Sequence, residues 1–340
     1  MTVMATRTGL GWEHAIDDVP SAVAVSGELC VVAGASGGVR LLDASTGRLQ
    51  ARIVLPGGVD RAGFSPDGTV VALAGPTGYA LWRVTDGAVL MRTTRLPARF
   101  TWSAGNQCAI AFGGTVRVYA GGDGTELWRA VDGPVRVDDA VWVDSVGGLA
   151  VALGGDVHVY GPRGLATVWT YPIPVRVLAG ALDGAWLCAA GDLPGVHVRG
   201  VGGTHEDLGA AGQALATGLT LDAEGRWLAA EDGSGLTLWD LAARGGRVRP
   251  RPRRLPAQPH ACAPCWRPGG GGLIATSGGD GMLVVWDLRG KAARKTAAPL
   301  ARRHVGAPVT AIAWHGSDAL LFADRGGRVA AQWFREIKSR

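Results

Sequence analysis

The chain has 340 residues, 47% of them hydrophobic and 19% charged, a balance that suits sheets buried on both faces and excludes a disordered chain. No run approaches the roughly 18 apolar residues of a membrane-spanning helix, and Met1 to Gly11 offers polar residues and glycine where a secretion signal carries an apolar core, so a cytoplasmic address is expected. The net charge of +5 is unevenly spread: residues 1–240 hold 16 Arg against 24 acids, and residues 241–340 hold 18 Lys or Arg against 5 acids.

In chain order, residues 10–16 alternate as a strand should. From Pro20 to Phe334 one unit is then written eight times: a β-branched or aromatic run, a turn, a small-residue strand, a glycine turn and a third strand. The first run ends at Val25, Phe64, Trp102, Trp142, Gly180, Leu221, Trp266 and Trp314, in steps of 38 to 48 residues. The third strand ends at Leu42, Trp82, Tyr119, Tyr160, Arg199, Trp239, Trp286 and Trp333. Two markers in register at a period near 40 predict an all-β fold, a β-propeller of four-stranded antiparallel blades that bury their faces by stacking on one another. The repeat runs unbroken, so residues 1–340 read as one domain, with a charged tail at 335–340. Eight blades are expected, the last completed by the N-terminal strand at about 10–16, which removes an exposed edge. Seven blades with one degenerate unit outside the ring is the alternative.

Blade two reads Gly63-Phe64-Ser65-Pro66-Asp67-Gly68 and closes in Leu81-Trp82, blade six closes in Leu238-Trp239-Asp240, and blade seven runs from Trp266 through Ser277-Gly278-Gly279-Asp280-Gly281 to Val284-Val285-Trp286-Asp287. These stretches resemble the WD-repeat family, with its Ser-Pro-Asp-Gly turn and terminal Trp-Asp pair. The resemblance spans nearly the whole chain but fades in blade one, with Leu42 for Trp, and in blade five, which ends in Arg199. It implies structural anchors at Trp82, Trp239, Asp240, Trp286 and Asp287. In blade seven it further implies a hydrogen-bond network joining Asp280, Thr276 or Ser277, and Trp286, with His260 as a doubtful fourth member. Alternation along the third strand predicts that Val284 and Trp286 face one neighbouring blade while Leu283 and Val285 face the other.

The basic excess falls in the outer segments of blades six and seven, at Arg244, Arg247, Arg249, Arg251, Arg253 and Arg254, then at Arg289, Lys291, Arg294, Lys295, Arg302 and Arg303. Either these are solvated connections, the first kept extended by Pro250, Pro252 and Pro256, or they form one basic rim that meets an acidic protein, an anionic lipid or nucleic acid. No aromatic residue interleaves the arginines, which counts against a single-strand stacking platform. Cys30, Cys108 and Cys188 lie among Val, Ala and Leu and read as small buried hydrophobes. His260, Cys262 and Cys265 are weak metal candidates, because a lone Cys-x-x-Cys lacks the second half of a zinc site and an extended strand turns the two thiols apart.

Asp17-Asp18 and Asp138-Asp139 are paired carboxylates at blade connections and read as solvated corners. Nucleophile-elbow, zinc-helix and phosphate-loop motifs are absent from the sequence, so no catalytic residue, metal ligand or cofactor is assigned. Leu42-Asp43-Ala44-Ser45-Thr46-Gly47 and Val118-Tyr119-Ala120-Gly121-Gly122-Asp123-Gly124-Thr125-Glu126-Leu127-Trp128 look like the repeat of quinoprotein propellers, which keeps a propeller enzyme or ligand-binding propeller as an alternative. The 31 Arg against 3 Lys suggest a GC-rich bacterial genome. The expected function is that of a monomeric, non-enzymatic scaffold or adaptor that binds one or more proteins, acidic ones included, through the propeller faces and the basic rim.

Overall fold

The computed structural model describes residues 9–94, 97–143, 148–180, 186–200, 205–208, 215–232, 235–242, 252–255, 262–269, 271–289 and 299–334. Its strands form eight four-stranded sheets, seven of them made of consecutive strands and the eighth of three C-terminal strands joined by the first strand of the chain. The innermost strands of blades one to eight are Pro20–Ser26, Arg61–Phe64, Ala98–Trp102, Val137–Val143, Val175–Gly180, Gly218–Leu221, Cys262–Trp266 and Val309–His315. All neighbouring strands within a blade are antiparallel, as short hairpin connections require. Among the described residues no helix is long and apolar enough to cross a membrane.

The reason these sequences form blades lies in the second strands. Val70-Val71-Ala72-Leu73-Ala74-Gly75 is buried at every position, because a central strand stacked between two neighbouring blades has no solvent face. The buried apolar residues accordingly fall into eight cores, one at each junction between blades. Val284 and Trp286 join the core with blade six, while Leu283 and Val285 join that with blade eight, as the alternation predicts.

Closure is made by Gly9–Ala15, whose ladder to Arg328–Trp333 runs from Gly9 opposite Trp333 to Ala15 opposite Arg328. The strand sits one residue earlier than the sequence suggests, and eight complete blades exclude the seven-blade alternative. Trp12 reaches out of this strand to blade one, where its indole donates to the Ala44 carbonyl at 2.7 Å. Gly47 lies beneath that ring at φ +72°, and a Cβ there would overlap the indole. This position therefore demands glycine on two counts, conformation and space.

The anchors implied by the family pattern behave in three ways. Trp286 Nε1 donates to Thr276 Oγ1 at 2.9 Å in the buried interior of blade seven, and Ser277 beside it is fully buried. The indole N–H groups of Trp82 and Trp239, also buried, have no hydrogen-bond partner among the described residues. Asp280 is exposed, and its Oδ1 accepts the Met282 N–H at 3.0 Å. Asp280 thus fastens its own turn instead of joining the indole network, a correction to the expectation, and His260 lies outside the described residues. Asp240 and Asp287 likewise accept the N–H two residues on, from Ala242 at 3.2 Å and Arg289 at 2.9 Å, and each also holds an arginine, Arg226 and Arg289 respectively. Aspartates in this pattern mimic a backbone turn.

A different set of tryptophans ties blade to blade. Trp102, Trp142 and Trp314 stand last or next to last in the innermost strands of blades three, four and eight, and each donates to a carbonyl in the innermost strand of the preceding blade. The acceptors are Gly63 at 3.3 Å, Thr101 at 3.2 Å and Cys265 at 3.0 Å. Those residues serve as period markers in the sequence, and this bonding role is not visible there.

Candidate interaction site

The innermost strands all begin on one face of the ring, here termed the leading face. Pairing with Ala33, Ala74, Ala111, Ala152, Ala190 and Ala323 of the second strands marks one equivalent position in six blades. It is occupied by Ala22, Arg61, Arg99, Asp139, Val177 and Ala311. Charge therefore enters this layer in three consecutive blades, two to four, where its equivalents in blades one, five and eight are apolar.

Blades one, four, five and eight insert an extra residue just before that position, at Ser21, Asp138, Arg176 and Thr310. Such a bulge re-aims a side chain. In blades four and five it brings the bulged residues together, with Arg176 Nη1 donating to Asp138 Oδ2 at 2.8 Å and Arg136 Nε lying 2.8 Å from Asp138 Oδ1. Arg176 also holds Asp192 at 2.8 Å. Asp139 accepts the Leu178 N–H of blade five at 2.9 Å and the Ala140 N–H at 3.0 Å, and stands 3.8 Å from Arg99 of blade three. Burial pushes the Asp139 carboxyl above the usual carboxylate range, while these donors and the cations oppose it.

The pair Asp138-Asp139 is thus not a solvated corner. Asp138 has only 3% of its side chain exposed and is paired with two arginines. Asp17 remains at the surface and pairs with Arg40, and Asp18 accepts the Ser36 N–H at 3.2 Å.

Between these residues opens a cleft of about 670 Å³ that spans blades two to four. Its charged wall is Asp60, Arg61, Arg99, Arg136, Asp138 and Asp139, and its apolar wall includes Phe112, Val135 and three prolines, Pro76, Pro97 and Pro134. A second cavity of about 470 Å³, at the ring's centre, shares Asp60 and Arg61 with it, so these two residues stand where channel and cleft meet. Arg61 keeps solvent contact, yet desolvation and then the neighbouring Arg99 charge lower its affinity for the proton. Among the described residues it makes no hydrogen bond or ion pair.

Of the expected basic rim, Arg247, Arg249, Arg251, Arg294 and Lys295 lie outside the described residues. Arg253 and Arg254 stand on the outer strand of blade six and are engaged within the protein, Arg253 over the Trp227 ring at 5.4 Å and the exposed Arg254 against Asp232 at 2.7 Å. Arg302 and Arg303 are exposed on the outer strand Pro299–His304 of blade seven. Cys30, Cys108 and Cys188 are fully buried, and burial raises the thiol pKa of Cys30 and Cys108. Cys265 packs against the core between blades seven and eight, its thiol pushed up to about 11 by burial. A register shift separates it from Cys262, so simple strand alternation does not run between the two.

The cleft residues were missed because each was read within its own blade. Aligning the six units that carry the second-strand alanine would have exposed Arg61, Arg99 and Asp139 as charges in an otherwise apolar layer.

Neither the scan against known family models nor the search of curated proteins finds a match. Solved structures do match. The computationally designed Ika8 protein aligns with a TM-score of 0.73 at 16% identity over 96% of this chain and 99% of its own. The Dos1 propeller aligns at 0.73 and 13% over 96% and 95%, and a chain of the mitotic checkpoint complex at 0.61 and 18% over 81% and 86%. The shared feature is the propeller. At these identities the likeness concerns fold, and the cleft belongs to this chain's own residues.

Proposed function

We propose that this protein is a non-enzymatic interaction scaffold of WD-repeat type, which docks segments of partner proteins in the leading-face cleft. The observation that carries the reading is the cleft itself, in which charges from three blades stand beside an apolar wall on a framework braced by indole bonds between blades. A rigid surface lowers the ordering cost of each binding event, and loops and edges on such a scaffold are where binding residues concentrate. The likeness to a chain found within the mitotic checkpoint complex, an assembly of proteins, supports the reading. Function does not follow from fold alone, so the cleft has to be tested directly.

The test is capture of partners from the native host by the intact protein and by variants. Arg99→Ala and Val135→Asn should lose a partner that wild type retains, while Arg302→Ser/Arg303→Ser retains it. The opposite pattern, loss only in the rim variant, would move the partner surface to the exposed arginines of blade seven. A cofactor absorption band in the purified protein would instead favour the propeller-enzyme alternative.

A further inference from the structure

We infer that Arg61 and Arg99 form a carboxylate clamp, and that the cleft takes an extended protein segment presenting an aspartate or glutamate side chain next to an apolar one. The inference rests on the docking role of the cleft proposed above and specifies what is docked. Arg61 and Arg99 occupy the same ladder position in consecutive blades, so their guanidinium groups enter the cleft from neighbouring walls with like charge. Among the described residues Arg61 makes no hydrogen bond or ion pair, feeling Asp139 and Asp60 only at longer range, and Arg99 meets Asp139 at 3.8 Å, beyond hydrogen-bond reach. Arg61 and Arg99 both reach solvent at the mouth of the cleft, where their like charges repel, and an anion between them relieves that repulsion.

Of the other charges in the cleft, Asp138, Asp139 and Arg136 are already committed, and Asp60 stands beside Arg61. Asp138 is held by Arg136 and Arg176, and Asp139 accepts two backbone N–H groups. These carboxylates also set the charge of the guest. A phosphate dianion would stand near Asp60 and Asp139, whereas a single carboxylate adds one charge and accepts two parallel N–H bonds from a guanidinium fork. Beside the clamp, Phe112 and Val135 form the apolar wall, and Val135 is 42% exposed. A cleft of about 670 Å³ lies within the usual range of binding pockets, and its opening across three blades leaves the guest's backbone free to run on over the leading face.

The experiment measures fluorescence anisotropy of labelled peptide pools titrated with the intact chain. Each pool holds one fixed residue followed by Leu within random Gly, Ser, Ala and Pro, the fixed residue being Glu, Gln, phosphoserine or Lys. The Glu pool should bind saturably and the Gln pool roughly tenfold more weakly or worse, the loss expected for a charge-assisted hydrogen bond. Arg61→Gln and Arg99→Gln should each weaken the Glu pool to a similar degree. Arg61→Lys, which keeps the charge and loses the fork, should fall between, and Arg302→Ser/Arg303→Ser should bind as wild type. Arg61→Gln should melt at or above the wild-type temperature, because it removes a repulsion, so weakened binding there is not a folding defect. Equal binding of the Glu and Gln pools, or no binding of the Glu pool, overturns the clamp. Tighter binding of phosphoserine overturns the carboxylate assignment. If Val135→Asn still loses a host partner in any of these cases, the scaffold reading stands without the clamp.

Discussion

Two buried indoles at the same ladder position differ in one bond. Trp82 lies opposite Val71 and Trp286 opposite Ile274, at matching places in blades two and seven, yet among the described residues only Trp286 of the two has a partner for its N–H, the Thr276 hydroxyl. Thr276→Val keeps the shape and removes the acceptor, leaving a buried donor unsatisfied at a cost of about 1–3 kcal/mol. Asp280→Ala removes one exposed turn bond and should change stability by no more than about 0.5 kcal/mol. Urea unfolding of both variants checks the pair, and equal losses would place Asp280 back in the indole network. The family pattern names both residues alike because sequence shows which side chains are able to bond and not which way a turn presents them. The Ser/Thr position beside the terminal Trp was legible, and the side of the turn that Asp280 faces was not.

At the scale of the element, the starts of the innermost strands combine bulges with buried charge. Burial raises the Asp139 carboxyl in the folded state above the ordinary value of about 3.9, so the folded protein holds that proton more tightly than the unfolded chain. The group's contribution to stability is then fully present below the ordinary value and is lost as pH rises through the raised one. Asp139→Asn cannot titrate. The stability of wild type relative to Asp139→Asn should therefore decline as pH climbs from the acid side of the carboxylate range to neutrality, as urea midpoints of the two proteins across that range would show. A relative stability that grows with pH would mean that Arg99 and the two N–H donors outweigh burial. The strands themselves were legible from their apolar runs. The bulges were not, because one extra residue in a short strand leaves its composition unchanged, and with Asp138 and Asp139 read as a solvated corner the ion pair to Arg176 could not be foreseen.

For the whole molecule, the period of the repeat and the alternating N-terminal segment sufficed to count the blades and to find the strand that closes them. A repeat records its own architecture many times over, whereas a binding site departs from the repeat once. The closing strand has a further effect on how the protein comes apart. An open row of stacked repeats has two terminal members, each lacking one neighbour, and unfolding proceeds inward from them. With residues 9–15 completing blade eight and Trp12 bonded across to blade one, every blade has a neighbour on both sides. Heating should then give one transition, with calorimetric and van't Hoff enthalpies in agreement. Trp12→Ala, a buried tryptophan deletion costing about 3–5 kcal/mol, should reopen the row at that junction and split the transition into stages that begin in blades one and eight. Staged melting of the intact chain would show instead that each blade stands by itself. Closure thus acts on cooperativity as well as on stability: while the seam holds, no blade is positioned to melt first.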